Sequence, residues 1–251
     1  MVETFAQPPA GIEFGDCYFY HVMDIPGHGT TDGQWDLRGR VDEYLGAYDF
    51  KSKSVLEIGP ASGFLTFEME KRGADVTCLE VTDQHGWDFV PFGPDILGPV
   101  FAPREQALRK MKNSFWFAYR AFESKAKMYY ANVYEMPTFG KFNVGLLASI
   151  LLHTQNPLRI VQQCSDHCTD LIITDLYYPD LQGAPVMRLH PSADNKSWDT
   201  WWHLSPDLFI QFLRILGFNE FSSTVHRHSY MGRTPLDFFT LVASRTQPRS
   251  T

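Results

Sequence analysis

The feature that most restricts the fold of this chain is a strand, a glycine turn, a helix and a second strand over residues 55–81. Residues 53–58 form a short apolar run typical of a buried strand, and residues 64–72 have helical spacing up to Gly73, a residue type that often ends helices. Residues 75–81 are the next apolar run. Because strand–helix–strand units build parallel sheets, this segment predicts an α/β fold.

The remaining sequence supplies enough elements for a doubly wound, mostly parallel, seven-stranded sheet. Further strands are predicted over residues 128–131, 143–151, 171–176, 218–226 and 235–243, and helices over residues 35–48, 104–122, 157–168 and 206–216. The length of 251 residues suits one large domain. We expect an N-terminal arm and helix over residues 1–48 that cover the site, followed by the main domain over residues 49–251.

A long connection follows the second strand, over residues 83–127. It is rich in Pro and Gly over residues 87–103 and basic and amphipathic over residues 104–122. Connections of this length inside a compact domain often cover a functional site, so we expect it to cover a substrate.

Charge and hydropathy argue against several classes of partner. The net charge of -7 disfavours nucleic acid as the default partner. The longest apolar run, residues 144–152, is much shorter than the roughly 20 residues that span a bilayer. The N-terminus lacks the basic start and apolar core of a signal peptide. We expect a cytoplasmic protein without a membrane partner, whose oligomeric state the sequence leaves open.

The cysteines predict neither a disulfide framework nor a metal centre. No CxxC pair is present, which suits a reducing compartment. Cys164, His167 and Cys168 lie close together in the sequence, but they fall in a predicted helix without an evident fourth ligand. We therefore interpret them as packing residues and expect no metal.

The glycine turn indicates a nucleotide site. Gly59 and Gly63 let the backbone turn sharply and let a ligand approach the main chain, while the helix that follows offers free N–H groups. Ligands of doubly wound sheets bind beyond the carboxyl ends of the strands. Glu80 ends the next strand, where a carboxylate can accept both hydroxyls of a ribose.

The spacing of the turn separates two classes of cofactor. A dinucleotide fingerprint reads G-x-G-x-x-G, whereas Ala61 stands at the middle position here. Glu57 lies two residues before Gly59, and this acid suits the ammonium and sulfonium of S-adenosylmethionine (SAM) better than a pyrophosphate. The resulting E-x-G-x-x-x-G pattern resembles that of SAM-dependent methyltransferases.

From about Tyr20 to Val242 the chain resembles class I SAM-dependent methyltransferases, and within them the tRNA wobble-uridine carboxymethyl- and methyltransferases and related bacterial small-molecule methyltransferases. The matching pieces, in chain order, are DGQWDLRGRVDEYL, VLEIGPASG, NVYEMP, GLLASILLHTQNPL and WWHLSPDLFIQFLRILGF. Their order is more specific than any single motif. The implied cofactor is SAM, with S-adenosylhomocysteine as its product.

The resemblance also implies roles for the residues of the glycine turn and the second strand. Glu57, Gly59 and Gly63 would surround the methionine part of SAM. Glu80 would hold the ribose diol, with Val81 beside it in the cofactor site.

The implied site extends to later strands and to the arm. Asn132 and Val133 would flank the adenine, and Ala148 and Ser149 would line the cofactor at the fourth strand. From the N-terminal helix, Trp35 would contribute an aromatic contact. Arg40 would contribute a cation, where the wobble enzymes carry Lys.

Two differences from the wobble enzymes favour plain methyl transfer over carboxymethyl transfer. Ala148 and Leu152 stand where those enzymes have Met and Tyr, and the tyrosine helps them to hold the extra carboxylate of carboxy-SAM. Their long N-terminal region is also missing from this sequence.

A general base is needed only if the methyl acceptor must lose a proton. His153, at the end of the fourth strand, is the first candidate, with a structural histidine as the alternative. His21 in the arm and Asp175 at the end of the fifth strand are further candidates. For Asp175 the alternative role is a turn or helix cap.

Aromatic and basic side chains of the long connection are candidates for contact with the substrate. Trp87 and Trp116 are the tryptophans most expected in a substrate pocket, although such residues are often core. A basic stretch is interpreted as a solvated helix face rather than an RNA-binding patch; it comprises Arg104, Arg109, Lys110 and Lys112.

Together these features predict SAM-dependent methyl transfer to a small, partly aromatic or apolar molecule, most expected at oxygen or nitrogen. One alternative is a tRNA wobble-uridine-modifying methyltransferase, which requires a positive surface beside the crevice. Another is a non-catalytic interaction protein with a SAM fold, which would have a degraded glycine turn.

Overall fold

The computed structural model describes residues 5–82, 87–138, 140–233 and 235–246. The strands, in chain order, are β1 Asp24–Ile25, β2 Gly29–Thr30, β3 Ser54–Ile58, β4 Asp75–Glu80, β5 Lys127–Tyr130, β6 Phe142–Ala148, β7 Cys168–Leu176, β8 Met187–Leu189, β9 Trp202–Leu204, β10 Glu220–Ser229 and β11 Pro235–Ser244. The helices are α1 Val41–Tyr44, α2 Phe64–Lys71, α3 Pro94–Ala121, α4 Pro157–His167 and α5 Pro206–Ile215.

Seven strands form one sheet in the order β10, β11, β7, β6, β3, β4, β5. Strands β7, β6, β3, β4 and β5 are parallel, and β10 and β11 form an antiparallel hairpin at one edge. The predicted doubly wound, mostly parallel α/β sheet is therefore confirmed. The chain leaves β3 for β4 on one side and returns as β6 on the other. The strand order thus reverses between β3 and β6, where such sheets bind ligands.

The core lies on both faces of the sheet, because successive side chains of a strand point to opposite faces. Val55 belongs to the apolar cluster shared with the N-terminal arm, α2 and α3, whereas its neighbour Leu56 belongs to the cluster under α4 and α5. Both side chains are fully buried. This two-faced burial explains why β3 is a continuous apolar run rather than an alternating one.

The helix predicted over residues 35–48 is wrong at both ends, since only α1, Val41–Tyr44, is helical there. The Asp36 carboxylate accepts the backbone N–H of Arg38 at 3.1 Å, and Gly39 has φ +74°, so the chain turns instead of coiling. Trp35 lies in an extended segment with bridges to His21 and Tyr230. The arm is thereby held against the sheet in extended form.

The long connection is also more helical than predicted. Helix α3 begins at Pro94 and runs through Pro99 and Pro103, although each internal proline removes a backbone donor. Side-chain contacts hold this part of the helix in place: Phe101 stacks on Phe89 with ring centroids 5.3 Å apart, and the Arg104 guanidinium lies 3.6 Å from the Trp87 ring. In the described part of the chain, no helix has the length and apolar character needed to cross a membrane.

Candidate functional site

A cavity of about 300 Å³ lies at the carboxyl ends of β3, β4 and β6, beneath the arm and α3. Ten of the predicted catalytic and cofactor-binding residues line it: His21, Glu57, Gly59, Glu80, Val81, Asn132, Val133, Ala148, Ser149 and His153. The structure thus brings the arm, the glycine turn and three strand ends to one site. It does not bring Trp35, Arg40, Gly63 or Asp175 to the cavity lining.

The glycine turn requires glycine at both of its predicted positions. Gly59 has φ +72°, and a Cβ there would lie 2.7 Å from Cγ2 of Ile150. Gly63 has φ +90° at the start of α2, where a Cβ would lie 2.6 Å from the Phe67 ring. A side chain at Gly59 would therefore disturb the cavity wall, and one at Gly63 would disturb the packing of α2.

Glu80 places a carboxylate on the cavity wall at the tip of β4. Its Oε1 accepts the backbone N–H of Val81 at 2.7 Å. Burial raises the pKa of this carboxyl, opposed by that hydrogen bond and by the cation of Lys112. A carboxylate held in this way has further lone pairs for a ligand that offers hydroxyl donors. The ribose role remains a prediction.

Glu57 also lines the cavity, but its carboxyl has partners within the protein. Its Oε2 accepts the Thr66 hydroxyl at 2.5 Å and lies 3.6 Å from the Cys78 sulfur. Burial raises the pKa of Glu57 to about 7, so near neutral pH a large share of the molecules carry a protonated Glu57. This carboxyl therefore ties β3 to α2 and β4, and a contact with the cofactor remains a prediction.

Two polar side chains at the ends of β5 and β6 are fixed by local hydrogen bonds. The Asn132 side-chain oxygen accepts the Tyr134 N–H at 2.9 Å, which forms an Asx-turn. Ser149 has φ +52°, and its hydroxyl lies 2.7 Å from that of Tyr44. The backbone that would face an adenine and a sulfonium is thereby held in one conformation.

His153 is held in one tautomer. Its Nδ1 lies 2.5 Å from the carbonyl oxygen of Asp199, so Nδ1 must carry the proton and Nε2 keeps its lone pair. The ring stands 4.9 Å from that of Trp87. Burial lowers the pKa of His153, so the neutral form that can accept a proton predominates at neutral pH.

His21 lies on the cavity lining and is 6% exposed. Its Nδ1 is buried without a hydrogen-bond partner among the described residues, and its ring lies 5.5 Å from that of Phe64. Burial lowers the pKa of His21 to about 3, which makes the ring a weak base.

Asp175 is 2% exposed, with Oδ1 accepting the Leu176 N–H at 2.8 Å and Oδ2 buried without a partner among the described residues. Burial raises its pKa to about 7. Because Asp175 is buried and is not part of the cavity lining, a catalytic role would require access that this conformation does not give.

The two residues predicted from the N-terminal helix act at a distance from the cavity. Trp35 donates its indole N–H to the Tyr20 hydroxyl at 3.0 Å, and Tyr20 lines the cavity. Arg40 is exposed and binds Glu43 and the carbonyl oxygen of Arg227, each at 2.7 Å. Trp35 can therefore position a cavity residue, and direct cofactor contacts by either residue remain predictions.

The sequence interpretation missed Arg104 as a site residue. We expected it on a solvated helix face, whereas it lines the cavity with its Nε buried and unpartnered among the described residues. Of the two tryptophans considered for the pocket, Trp87 lines the cavity. Trp116 is buried and donates to the Tyr130 hydroxyl at 3.0 Å. The helical period, continued from the buried Met111 and Phe115 back through Pro103, would have placed Arg104 on the inner face.

Asp88 anchors the segment between β4 and α3 to neighbouring parts of the domain. Its carboxylate accepts the Tyr134 hydroxyl at 2.5 Å and the Gln155 N–H at 2.6 Å. Its carbonyl oxygen accepts the Trp201 indole at 2.7 Å. These bonds hold the neighbouring Trp87 over the cavity.

Solved structures share this fold. The N-terminal domain of EvdMO1, solved with SAH (S-adenosylhomocysteine) and D-fucose, superposes with a TM-score of 0.52 at 16% identity, over 82% of this chain and 80% of that one. A 1,6-didemethyltoxoflavin-N1-methyltransferase from Burkholderia thailandensis has a TM-score of 0.51 at 14% identity, over 81% and 75%. Magnesium protoporphyrin IX methyltransferase from Synechocystis PCC 6803 superposes with a TM-score of 0.52 at 12% identity, over 81% of this chain and 80% of that one.

No protein-family model and no curated protein sequence matches the chain. At the identities above, the structural likeness shows the fold alone. The chain therefore has the seven-stranded, Rossmann-like fold found in SAM-dependent methyltransferases, with a cavity where the strand order reverses.

Proposed function

We propose that this chain catalyses SAM-dependent methyl transfer to an oxygen or nitrogen atom of a small molecule. The observation that carries the proposal is the Glu80 carboxylate on the wall of a cavity of about 300 Å³, at the tip of the strand next to the glycine turn. The fold supports it, because structures that share this fold were solved with S-adenosylhomocysteine bound.

The residues present fit SAM. Gly59 leaves open a part of the wall that a Cβ would close against Ile150. The lining is mainly apolar with a few fixed polar groups, as is typical of nucleoside sites.

Each part of the wall has a distinct task in this proposal. Glu80 accepts the ribose hydroxyls, Asn132 and Val133 border the adenine, and Gly59 and Ser149 border the amino-acid end. When bound, SAM supplies a methyl group activated by its sulfonium. The protein then contributes alignment of the acceptor and exclusion of water.

His153 removes the acceptor's proton in this proposal. The Asp199 carbonyl holds the proton on Nδ1, which leaves the Nε2 lone pair for the acceptor. His21, with a pKa of about 3, serves as a hydrogen-bonding group instead. The acceptor's proton ends on Nε2 of His153 and leaves through solvent after release.

The acceptor side of the cavity favours a planar molecule with an electron-rich or anionic group. Tyr20, Trp87, Met111 and Tyr134 supply apolar and aromatic surface. Arg104 adds a cation with a free Nε donor. The neighbour proteins that act on a didemethyltoxoflavin and a magnesium protoporphyrin give precedent for planar acceptors on this fold.

Calorimetric titration with SAM and S-adenosylhomocysteine tests the cofactor assignment. Glu80→Ala should weaken binding about 100-fold, because it removes two charge-assisted hydrogen bonds worth roughly 1.5 kcal/mol or more each. Glu220→Ala, at the exposed start of β10, is the matched control and should bind normally. Absence of SAM binding by the unaltered chain would refute the cofactor, and unchanged affinity in Glu80→Ala would refute the ribose contact.

A screen for acceptors tests the activity. Planar heteroaromatic acids, phenols, amines and tRNA would be offered with SAM, and release of S-adenosylhomocysteine would be measured. A small planar acceptor supports the proposal. Salt-sensitive methylation of tRNA alone would support the RNA-modifying alternative instead.

A further inference from the structure

A second cluster of chemically active side chains lies outside the cavity, on the edge strand β10. His226 and His228 stand two residues apart and therefore project from the same face of the strand. They are 7% and 2% exposed. Glu43 of α1 reaches the same place, and the ligand atoms of the three residues lie within 4.8 Å of one another.

Both ring nitrogens of His226 have hydrogen-bond partners. Its Nε2 lies 2.7 Å from the Thr240 hydroxyl oxygen. The Thr240 hydroxyl also lies 3.2 Å from the Tyr44 carbonyl oxygen and 2.8 Å from the Thr174 hydroxyl, which itself donates to that carbonyl. The network fits either tautomer of His226; in the tautomer that can bind a metal ion, Thr240 accepts from Nε2–H and Nδ1 has the lone pair.

That lone pair points at the second ring. Nδ1 of His226 and Nε2 of His228 are 2.8 Å apart, and in this tautomer His228 supplies the single proton between them. Two nitrogen ligands of a tetrahedral zinc ion stand about 3.3 Å apart with the ion off the line that joins them, so the rings must separate by about half an ångström and turn until both lone pairs face the ion. Metal-binding histidines commonly donate their other N–H to a fixed oxygen, as His226 does to Thr240 in this tautomer.

We propose that Glu43, His226 and His228 form a binding site for a divalent transition-metal ion, with zinc as the best-fitting probe. The ion takes the place of the proton between the rings, and His228 moves its proton from Nε2 to Nδ1, so both rings remain neutral. The Glu43 carboxylate is the third ligand. Its side chain is 45% exposed, which leaves a fourth position open to water.

Arg40 competes with the ion for Glu43. Its guanidinium lies 2.7 Å from Oε2 of that carboxylate and 2.7 Å from the Arg227 carbonyl oxygen. The carboxylate has a second oxygen that can bind the ion. Removing the guanidinium should therefore strengthen metal binding, which distinguishes a metal site from a purely structural histidine pair.

The site is joined to the cavity by one residue. The Tyr44 ring lies 5.9 Å from His226 and 5.4 Å from His228, and its hydroxyl lies 2.7 Å from that of Ser149 on the cavity lining. An ion bound to Glu43 fixes the neighbouring Tyr44 against β10. Metal binding thereby rigidifies one side of the cavity wall.

The test uses the full chain after removal of metal with a chelator. Calorimetry with Zn²⁺ and the visible absorption of Co²⁺ should each report one equivalent with tetrahedral character. His228→Gln should lose this stoichiometric binding. His203→Gln, from another histidine pair with rings 4.4 Å apart, is the matched control and should keep it.

Two further variants sharpen the result. Thr240→Val should weaken Zn²⁺ binding by about 10- to 100-fold, as is usual when the partner of a ligating histidine is lost. Arg40→Met should tighten it. Failure of the unaltered chain to bind Zn²⁺ stoichiometrically, or equal loss in His228→Gln and His203→Gln with native circular dichroism, would overturn the proposal. Because SAM takes no part, these outcomes are independent of the proposed methyl transfer.

Discussion

The two walls of the cavity differ in how their polar atoms are satisfied. On the wall made by the strand tips, Glu80, Asn132 and Ser149 each have a hydrogen-bond partner within the protein. On the opposite wall, made by the arm and α3, buried nitrogens of His21 and Arg104 have none among the described residues. One wall is therefore preorganised, and the other has hydrogen-bonding capacity left for a ligand.

This difference teaches where each part of a two-substrate reaction would be recognised. A polar side chain that is already held by a hydrogen bond loses little conformational freedom when a ligand binds. Such a group suits recognition of a ligand that is the same in every turnover. Unpartnered buried groups cost free energy unless a ligand satisfies them, so they discriminate strongly between molecules. We infer that the strand tips hold the cofactor and that the arm and α3 select the acceptor.

The largest effect is expected at His153, where the two walls meet. With the acceptor found by the screen, His153→Ala should lower turnover about 10²- to 10⁴-fold while SAM affinity stays unchanged. The unaltered enzyme should also lose activity as the pH falls through the pKa of His153, which lies below its usual 6.5. Full turnover in the variant would remove His153 as the base, and a large loss of SAM affinity would move it to the cofactor wall.

The next effect concerns Glu57 and tests whether the strand-tip wall contains a neutral acid. Its pKa is raised from 4.5 to about 7 in the folded chain, so folding favours the protonated form. The contribution of Glu57 to the free energy of unfolding is therefore fully present below about pH 4.5. It falls by about 3 kcal/mol in total as the pH rises through 7. Glu57→Gln has no carboxyl at this position, so its stability should not show this decrease with pH.

Urea unfolding of both proteins at pH 5 and pH 8, without cofactor, measures the effect. The stability advantage of the unaltered chain over the variant should shrink between the two pH values. Asp175, whose pKa is also raised to about 7, remains in both proteins and adds the same trend to each. An advantage that grows with pH would show that Glu57 is ionised in the folded chain.

The smallest effect separates the walls most directly. Arg104→Met keeps the bulk of the side chain but removes its cation and its free donor, which should raise the KM of the acceptor about 3- to 30-fold. Binding of SAM should change less than threefold. Arg109→Met, an exposed position on the same helix, is the control. A variant that weakens SAM more than the acceptor would reverse the assignment of the walls.

The sequence predicted the parts of the fold that depend on local pattern. Residues 55–81 form a strand, a turn, a helix and a strand, as their apolar spacing and glycines indicate. The later strands follow from similar apolar runs. Local pattern also located Gly59 and Glu80, because turn chemistry and strand ends are visible in one stretch of sequence.

Features that depend on tertiary contact were not predictable in this way. Helix α3 continues through Pro99 and Pro103, a pattern that by itself indicates an irregular segment. Trp35 is extended because it pairs with His21 and Tyr230, and the chain turns before α1, which no helical period reveals. Glu43 and His226 meet only because α1 packs against β10. No spacing rule links residues so far apart in the sequence.

Helix α3 has 28 residues and is therefore about 42 Å long. Its second half is anchored in the core through Phe115 and Ala118, and the residues that line the cavity, Arg104, Leu108 and Met111, lie around its middle. Arg104 lies 11 residues before Phe115, about 16 Å along the axis, so a tilt of about 5° about Phe115 would displace this part of the helix by about 1.4 Å. The width of the entrance can therefore be tuned by a few side chains near the pivot, without any change to the strands below.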